Sequence, residues 1–315
     1  MTNTQLDMRG RDFVALADYT QEELYALMHY GIELKRKQKA GDPEQALRGK
    51  SLAMIFEKSS TRTRVSFEVG MFQLGGTALF LSKNDIQIGR GETIYDTAQT
   101  LSRYVDGIMI RTFAHRTVID LARAATVPVI NGLSDLNHPC QALADYMTIY
   151  EKKGKLEGLK VAYVGDGNNM AHSLIMGASK FGINITVATP NNYAPDADVV
   201  KQAQEQGKLY GSTITLTNDP REAVADADVV YTDVWASMGF ESEQQKRELA
   251  FRDFQVDEEL VKWAKSDYLF MHCLPAHRGE EVSEGVIDGN RSIVFDQAEN
   301  RLHAQKAVLA SLMRD

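Results

Sequence analysis

Apolar positions along the chain follow two rhythms. In "DYTQEELYALMHYGIELKRKQ", Leu24, Leu27, Met28 and Gly31 recur at helical spacing, and Thr20 and Glu23 stand at capping-box separation, which predicts a helix. After it, short β-rich runs alternate with amphipathic stretches. "SLAMIF", "TALFLS", "GIMIRT" and "VPVIN" each precede a polar turn, and the alternation resumes after Gly154 with "LKVAYVG", "INITVAT", "TITLTN", "DVVYTDV", "YLFMHCL" and "SIVFDQ". Continuous apolar strands separated by helices predict parallel sheets covered on both faces. The expected fold is α/β, with two doubly wound parallel-sheet domains linked by interdomain helices. Residues 1–137 are expected to form the first domain, 138–154 (His138 followed by "PCQALADYMTIYEKKG") the bridging helix and 155–297 the second domain. A last helix, about 298–315, is expected to pack back on the first.

Composition narrows the class. At 315 residues, 43% hydrophobic and 25% charged, the chain is long enough for two domains with ordinary cores. Its acidic balance, 43 Asp plus Glu against 35 Lys plus Arg, argues against a nucleic-acid or anionic-membrane binder, so any basic spot has a local purpose. Cys140 and Cys273 lie too far apart for a C-x-x-C metal site and fit a reducing compartment. No run approaches the roughly 18 apolar residues of a membrane helix, and "MTNTQLDMRGRDF" lacks a secretory apolar stretch. A soluble, cytoplasmic protein is expected.

In open α/β sheets, ligands bind beyond the carboxyl ends of the strands, and the unusual residues collect there. Ser60-Thr61-Arg62-Thr63-Arg64 follows "LAMIF", Arg111 ends "GIMI", and His138-Pro139-Cys140-Gln141 follows "PVINGLSDLN". Asp166 and Asn168-Asn169 follow "VAYVG", Asp233 follows "VVYT", His272-Cys273-Leu274-Pro275 follows "YLFM", and Arg301 lies beyond "IVFD". Hydroxyl residues at a helix start, with arginines Arg62 and Arg64 beside them, make an anion site. A helix cap followed by a solvated basic face reads the same residues equally well. Arg111, His138 and Arg301 on the same sheet edge tip the balance toward the anion.

"VAYVGDGNNMAHS" begins like a dinucleotide fingerprint, but Met170 replaces the third glycine and "INITVATP" ends without an acidic residue, which argues against NAD. No G-x-x-x-x-G-K-[ST] run is present. Asn168-Asn169 reads as a turn or as a substrate contact, His138 as a helix-capping residue or as a donor to a polarised carbonyl. Cys273 reads as a buried small hydrophobe or as a thiol facing a cleft. "DVWASMGFESEQQKRELAFRDF" is long for an α/β connection, which fits either a lid or a solvated insertion.

Together these motifs resemble the aspartate/ornithine carbamoyltransferase family over essentially the whole chain. "FEKSSTRTRVSFE" resembles its carbamoyl-phosphate motif and "HPCQ" its second. "HCLP" and "DVWASMG" resemble the family's ornithine-specific branch; the aspartate-specific branch keeps S-T-R-T-R and H-P-x-Q but lacks both. Relatives acting on putrescine or acylated ornithines differ in that loop and in the segment matching "SKNDIQIGRGE".

The resemblance implies carbamoyl transfer from carbamoyl phosphate to the side-chain amine of L-ornithine, in arginine metabolism, with putrescine, lysine or an acylated ornithine as alternative acceptors. It implies an active site in the cleft between a first, carbamoyl-phosphate-binding domain and a second, ornithine-binding domain. Ser60, Thr61, Arg62 and Thr63 would hold the phosphate, joined by Gln87 from a neighbouring subunit. Arg111, His138 and Gln141 would bind the carbamoyl end, with Arg301 assisting and Cys273 and Leu274 beside it. Asn169, Asp233, Ser237 and Met238 would hold ornithine. Arg111, His138, Asp233 and Cys273 are the expected catalytic residues. The expected assembly is a homotrimer or a multiple of trimers. No metal, cofactor, nucleic acid or membrane partner is expected.

Overall fold

The structure, a computed structural model, describes residues 7–236 and 243–314. The chain divides into two compact units: one runs to Met147 and is completed by residues from Glu299 on, and the other is Thr148–Ala298. Both boundaries fall inside helices, Pro139–Lys153 (α5) and Val294–Met313 (α11).

The first unit opens with helix Gln21–Lys39 (α1). Thr20 Oγ1 accepts from the Glu23 N–H while the Glu23 carboxylate accepts from the Thr20 N–H, satisfying first-turn donors that otherwise lack partners. Its buried face is Leu24, Leu27, Met28, Gly31 and Leu34. Four parallel strands follow, Ser51–Phe56 (β1), Thr77–Ser82 (β2), Gly107–Arg111 (β3) and Val129–Leu133 (β4), in sheet order β2-β1-β3-β4. Helices Thr61–Gln73 (α2), Ile94–Leu101 (α3) and His115–Ala124 (α4) connect them. Ala53, Ile55, Ile108, Ile110 and Val129 pack with Ala98 of α3 and with Val118 and Leu121 of α4. The alternate residues Leu52, Met54 and Met109 are fully buried as well, so both faces of the sheet are covered.

The second unit holds Lys160–Val164 (β5), Asn184–Ala188 (β6), Ile214–Thr217 (β7), Val229–Thr232 (β8) and Leu269–His272 (β9), all parallel, in order β7-β6-β5-β8-β9. Its helices are Asn169–Phe181 (α6), Ala197–Tyr210 (α7), Pro220–Val224 (α8), Gln244–Phe251 (α9) and Glu284–Ile287 (α10). Ala162 and Val164 of β5, Val230 of β8 and Phe270 of β9 share a core with Val224 of α8, Phe251 of α9 and Ile287 of α10. The order reverses between β5 and β8, and at such a switch point the strand ends open a crevice.

Two sequence expectations change. "SIVFDQ" is not a strand: beyond a single bridge between Ser292 and Phe270 it enters α11, which begins at Val294. Val294, Gln297, Asn300 and Arg301 are buried at helical spacing while Phe295 is exposed, so the true period is 3.6 and a short apolar run conceals it. The stretch expected to be a long loop after Asp233 is helical in its second half, where α9 runs into a 3₁₀ turn at Arg252–Phe254.

Candidate active site

In the first unit, Ser60 caps α2: its Oγ accepts from the Thr63 N–H at 3.2 Å and stands 3.2 Å from Thr63 Oγ1. A cap of this kind stabilises a helix by about 1 kcal/mol. The first turn of α2 carries no acidic residue, so the positive end of the helix dipole is left for a ligand. Arg301 of α11 donates from Nη2 to Thr63 Oγ1 at 3.2 Å and from Nη1 to Gln141 Oε1, and Gln141 Nε2 donates to Asp145 at 2.8 Å. Thr63, Gln141 and Arg301 are all buried. The β3–β4 register slips at Arg111, which pairs with Leu133 rather than Gly132. A bulge re-aims the side chain at a strand end, here a buried arginine. His138, immediately before α5, is buried among these groups. Burial, followed by the charges of Arg301, Arg111 and Arg62, holds its imidazole well below the ordinary range, so the ring is neutral at pH 7. Three guanidiniums, a neutral imidazole and a helix N-terminus thus converge.

One expected donor falls elsewhere. Arg64 pairs with Glu68 on its own helix at 3.0 Å and lies over the Phe80 ring, 3.8 Å from its centroid. Gln87 is exposed in the turn Gln87–Arg90, and among the described residues its side chain makes no hydrogen bond to the arginine cluster. Thr61 is the exposed first residue of α2.

In the second unit, three neighbouring strands, β5, β8 and β9, deliver the polar groups. Asn168 caps α6, its Oδ1 accepting from the N–H groups of Met170 and Ala171, while its Nδ2 donates to Asp233 Oδ2 at 2.9 Å. Gly167 makes this turn possible: a Cβ there would sit 2.3 Å from Pro195 N. Asp233 is buried, and its Oδ1 accepts from the Val234 N–H at 2.9 Å and from Cys273 Sγ at 3.0 Å. Cys273 and Leu274 are half-buried, and Leu274 takes the left-handed conformation at φ 58°. Asn169, half-buried, begins α6. Ser237 and Met238 lie outside the described residues.

Two charged groups of this unit escape a reading of the sequence. Arg247 of α9 is buried, donates at 2.8 Å both to Asp166 and to the Trp235 carbonyl, and pairs with Glu243 at 3.1 Å. Burial pushes Asp166 up to about 6 despite that arginine, with Asp233 and Glu243 adding to the rise. Glu281, fully buried, faces the equally buried His272 at 3.1 Å. The ligand-capable atoms of Asp233, His272 and Cys273 lie within 4.8 Å of one another. Both His272 nitrogens are already engaged, however, one by the Leu274 N–H and the other by Glu281, so the group is built for hydrogen bonding rather than for holding an ion.

Two family models match the chain. The family model described as aspartate/ornithine carbamoyltransferase, carbamoyl-P binding domain, matches residues 11–151, and its Asp/Orn binding domain matches residues 157–312. An ornithine carbamoyltransferase of Anoxybacillus flavithermus is 64% identical over 313 residues, 99% of each chain. One from Pyrococcus furiosus, named as anabolic, is 60% identical over 308 residues, 98% of each chain. The solved ornithine carbamoyltransferase structure from Pyrococcus furiosus superposes with a TM-score of 0.95 at 60% identity, covering 98% of each chain. That from Campylobacter jejuni gives 0.90 at 43% identity, covering 95% of this chain and 97% of the other. The chain therefore belongs to the aspartate/ornithine carbamoyltransferase family.

Proposed function

We propose that the protein is an ornithine carbamoyltransferase, transferring the carbamoyl group of carbamoyl phosphate to the side-chain amine of L-ornithine to give L-citrulline and phosphate. The observation that carries this reading is the convergence of Arg62, Arg111 and Arg301 on a neutral His138 beside the N-terminus of α2. A phosphate dianion next to a carbamoyl oxygen is the ligand such donors suit. Ser60, Thr61, Arg62 and Thr63 hold the phosphate, and Gln141 and Arg301 complete the carbamoyl end.

Only the neutral amine can attack. An alkylammonium pKa near 10.4 makes deprotonation at pH 7 cost about 4–5 kcal/mol. Asn169, Asp233, Ser237 and Met238 bind ornithine, and Asp233, held by Asn168, the Val234 N–H and Cys273, handles the proton together with the thiol. Attack at the carbamoyl carbon forms the C–N bond and a tetrahedral oxyanion, which then expels phosphate with the C–O bond electrons. Arg111, neutral His138 and Thr63 donate to the oxyanion, and Leu274 sits beside the carbamoyl group. Preorganised donors of this kind are each worth about 10²–10³ in rate. Ordinary carbamoyl phosphate is already activated, so the chemistry calls for no further cofactor.

The exposed position of Gln87 fits a residue that serves a neighbouring copy, and we assign the assembly as a homotrimer or a multiple of trimers. Two free cysteines fit a reducing compartment, so the enzyme is assigned to the cytoplasm. Arginine biosynthesis is the role that fits, in the direction for which the Pyrococcus furiosus relative is named. The test is to supply carbamoyl phosphate with ornithine, putrescine, lysine, N-acetylornithine or aspartate in separate reactions and identify the ureido product by mass. Citrulline forming fastest supports the assignment; a faster product from another acceptor overturns it.

A further inference from the structure

We propose that Glu281 is a positioning residue that acts through His272 to fix the Cys273–Leu274 turn, and with it the placement of the thiol against Asp233. The inference rests on the reading of Cys273 and Leu274 as substrate-side residues.

His272 ends β9 with its backbone anchored, since its N–H donates to Gln297 Oε1 at 3.0 Å and Gln297 in turn donates to Tyr231 Oη at 3.1 Å. Its ring is fully buried. The Leu274 N–H donates to Nδ1 at 2.8 Å, so Nδ1 carries a lone pair and the ring proton of the neutral imidazole resides on Nε2. That proton points at Glu281 Oε1, 3.1 Å away, an oxygen that also accepts from the His277 N–H at 2.6 Å. Glu281 is fully buried, and both of its hydrogen bonds fall on Oε1, while Oε2 is buried with no hydrogen-bond partner among the described residues. What those bonds secure is the tautomer. With the proton moved to Nδ1, the ring would face the Leu274 N–H donor to donor.

The turn needs that acceptor. Leu274 holds φ at 58°, a left-handed conformation that a side chain with a Cβ adopts only against a steric penalty, and the bond from its N–H to Nδ1 helps retain it. Cys273 lies between the two anchored residues, and its Sγ donates to Asp233 Oδ1 at 3.0 Å. Loosening the turn moves the thiol relative to the carboxylate, and displacement of a reacting group by about 1 Å can cost on the order of 10²-fold in rate.

The experiment compares Glu281→Leu, which removes the acceptor, with Glu281→Gln, which keeps a carbonyl oxygen for both N–H donors. Readouts are kcat and KM for citrulline formation and the rate of Cys273 alkylation by iodoacetamide. Cys140 is fully buried with its thiol pushed up to about 12, so alkylation of the folded protein reports Cys273. Glu281→Leu should lower kcat by about 10- to 100-fold and change the alkylation rate at least about 3-fold, with Glu281→Gln recovering most of both. Unchanged kcat and alkylation in folded Glu281→Leu, or a Gln variant no better than Leu, would overturn the proposal. Should the Leu variant fail to fold, ¹⁵N-histidine spectra of the unaltered protein decide: the His272 ring, assigned by its loss in His272→Asn, must be the Nε2–H tautomer. The Nδ1–H tautomer there refutes the inference. Alkylation and tautomer need no turnover, so an unaltered protein that makes no citrulline counts against the proposed reaction and leaves the positioning test intact.

Discussion

Replacing Asp166 by asparagine should stabilise the protein at neutral pH, although it removes half of a buried ion pair. Asp166 and Arg247 are 2.8 Å apart with side chains only 11% and 8% exposed. Burial nonetheless leaves Asp166 at about 6 against an ordinary 3.8, so the site as a whole disfavours the carboxylate. Between those values the native state holds a proton that the unfolded chain has lost, and stability falls as pH rises through the window. At about 1.36 kcal/mol per pH unit, the full penalty is about 3 kcal/mol at pH 8 and about half that at pH 5. Asp166→Asn keeps an acceptor oxygen for Arg247 and removes the penalty, and should gain up to about 3 kcal/mol at pH 8, a figure already net of the attraction to Arg247. Arg247→Met does the opposite. It strips three charge-assisted bonds, to Asp166, to the Trp235 carbonyl and to Glu243, and leaves a buried carboxylate near Asp233 and Glu243, at a cost of about 3–5 kcal/mol. Both tryptophans, Trp235 and Trp263, belong to the Thr148–Ala298 unit, so urea unfolding followed by tryptophan fluorescence reads the unit that carries the pair. An Asp166→Asn variant destabilised by more than about 1 kcal/mol at pH 8, or a difference from the unaltered protein that does not shrink toward pH 5, refutes the reasoning.

Arg301→Met should raise KM for carbamoyl phosphate at least about tenfold while KM for ornithine changes little, because it removes the bonds to Thr63 and Gln141; steady-state kinetics with each substrate varied will show it. His138 is already neutral at pH 7, so the pH profile of kcat/KM should contain no inflection near 6.5 that disappears in His138→Asn. Lys306 is fully buried against the amide oxygens of Gln73 and Gln38, and burial pulls it down to about 8. Lys306→Met should therefore be neutral or stabilising by about 1–2 kcal/mol at pH 7 in urea unfolding. The unaltered protein then regains ground as pH rises above 8, where the native lysine has shed a proton that the unfolded chain still holds.

The parallel sheets are legible in the sequence because β1, β3, β5 and β8 are buried on both faces and read as unbroken apolar runs. "SIVFDQ" reads the same way yet starts α11, since six residues are too few to separate a period of 2 from one of 3.6. The strand-end rule finds Asn168, Asp233 and Cys273, which the order β5-β8-β9 brings together. It misplaces Arg64, whose helical neighbour Glu68 lies four residues on and claims it. Arg247 and Glu281 sit among charges in polar stretches, and nothing in the sequence distinguishes a charge that folds inward from one that stays in water. Arg301 meets Thr63 across 238 residues, a contact that depends on the topology rather than on local pattern.

The most direct test of the central claim is a single-turnover reaction with ¹³C-labelled carbamoyl phosphate and ornithine, counting labelled citrulline against released phosphate. One labelled citrulline should form for each phosphate released. Phosphate released without a labelled ureido product, or neither product from a folded protein that binds carbamoyl phosphate, would contradict it.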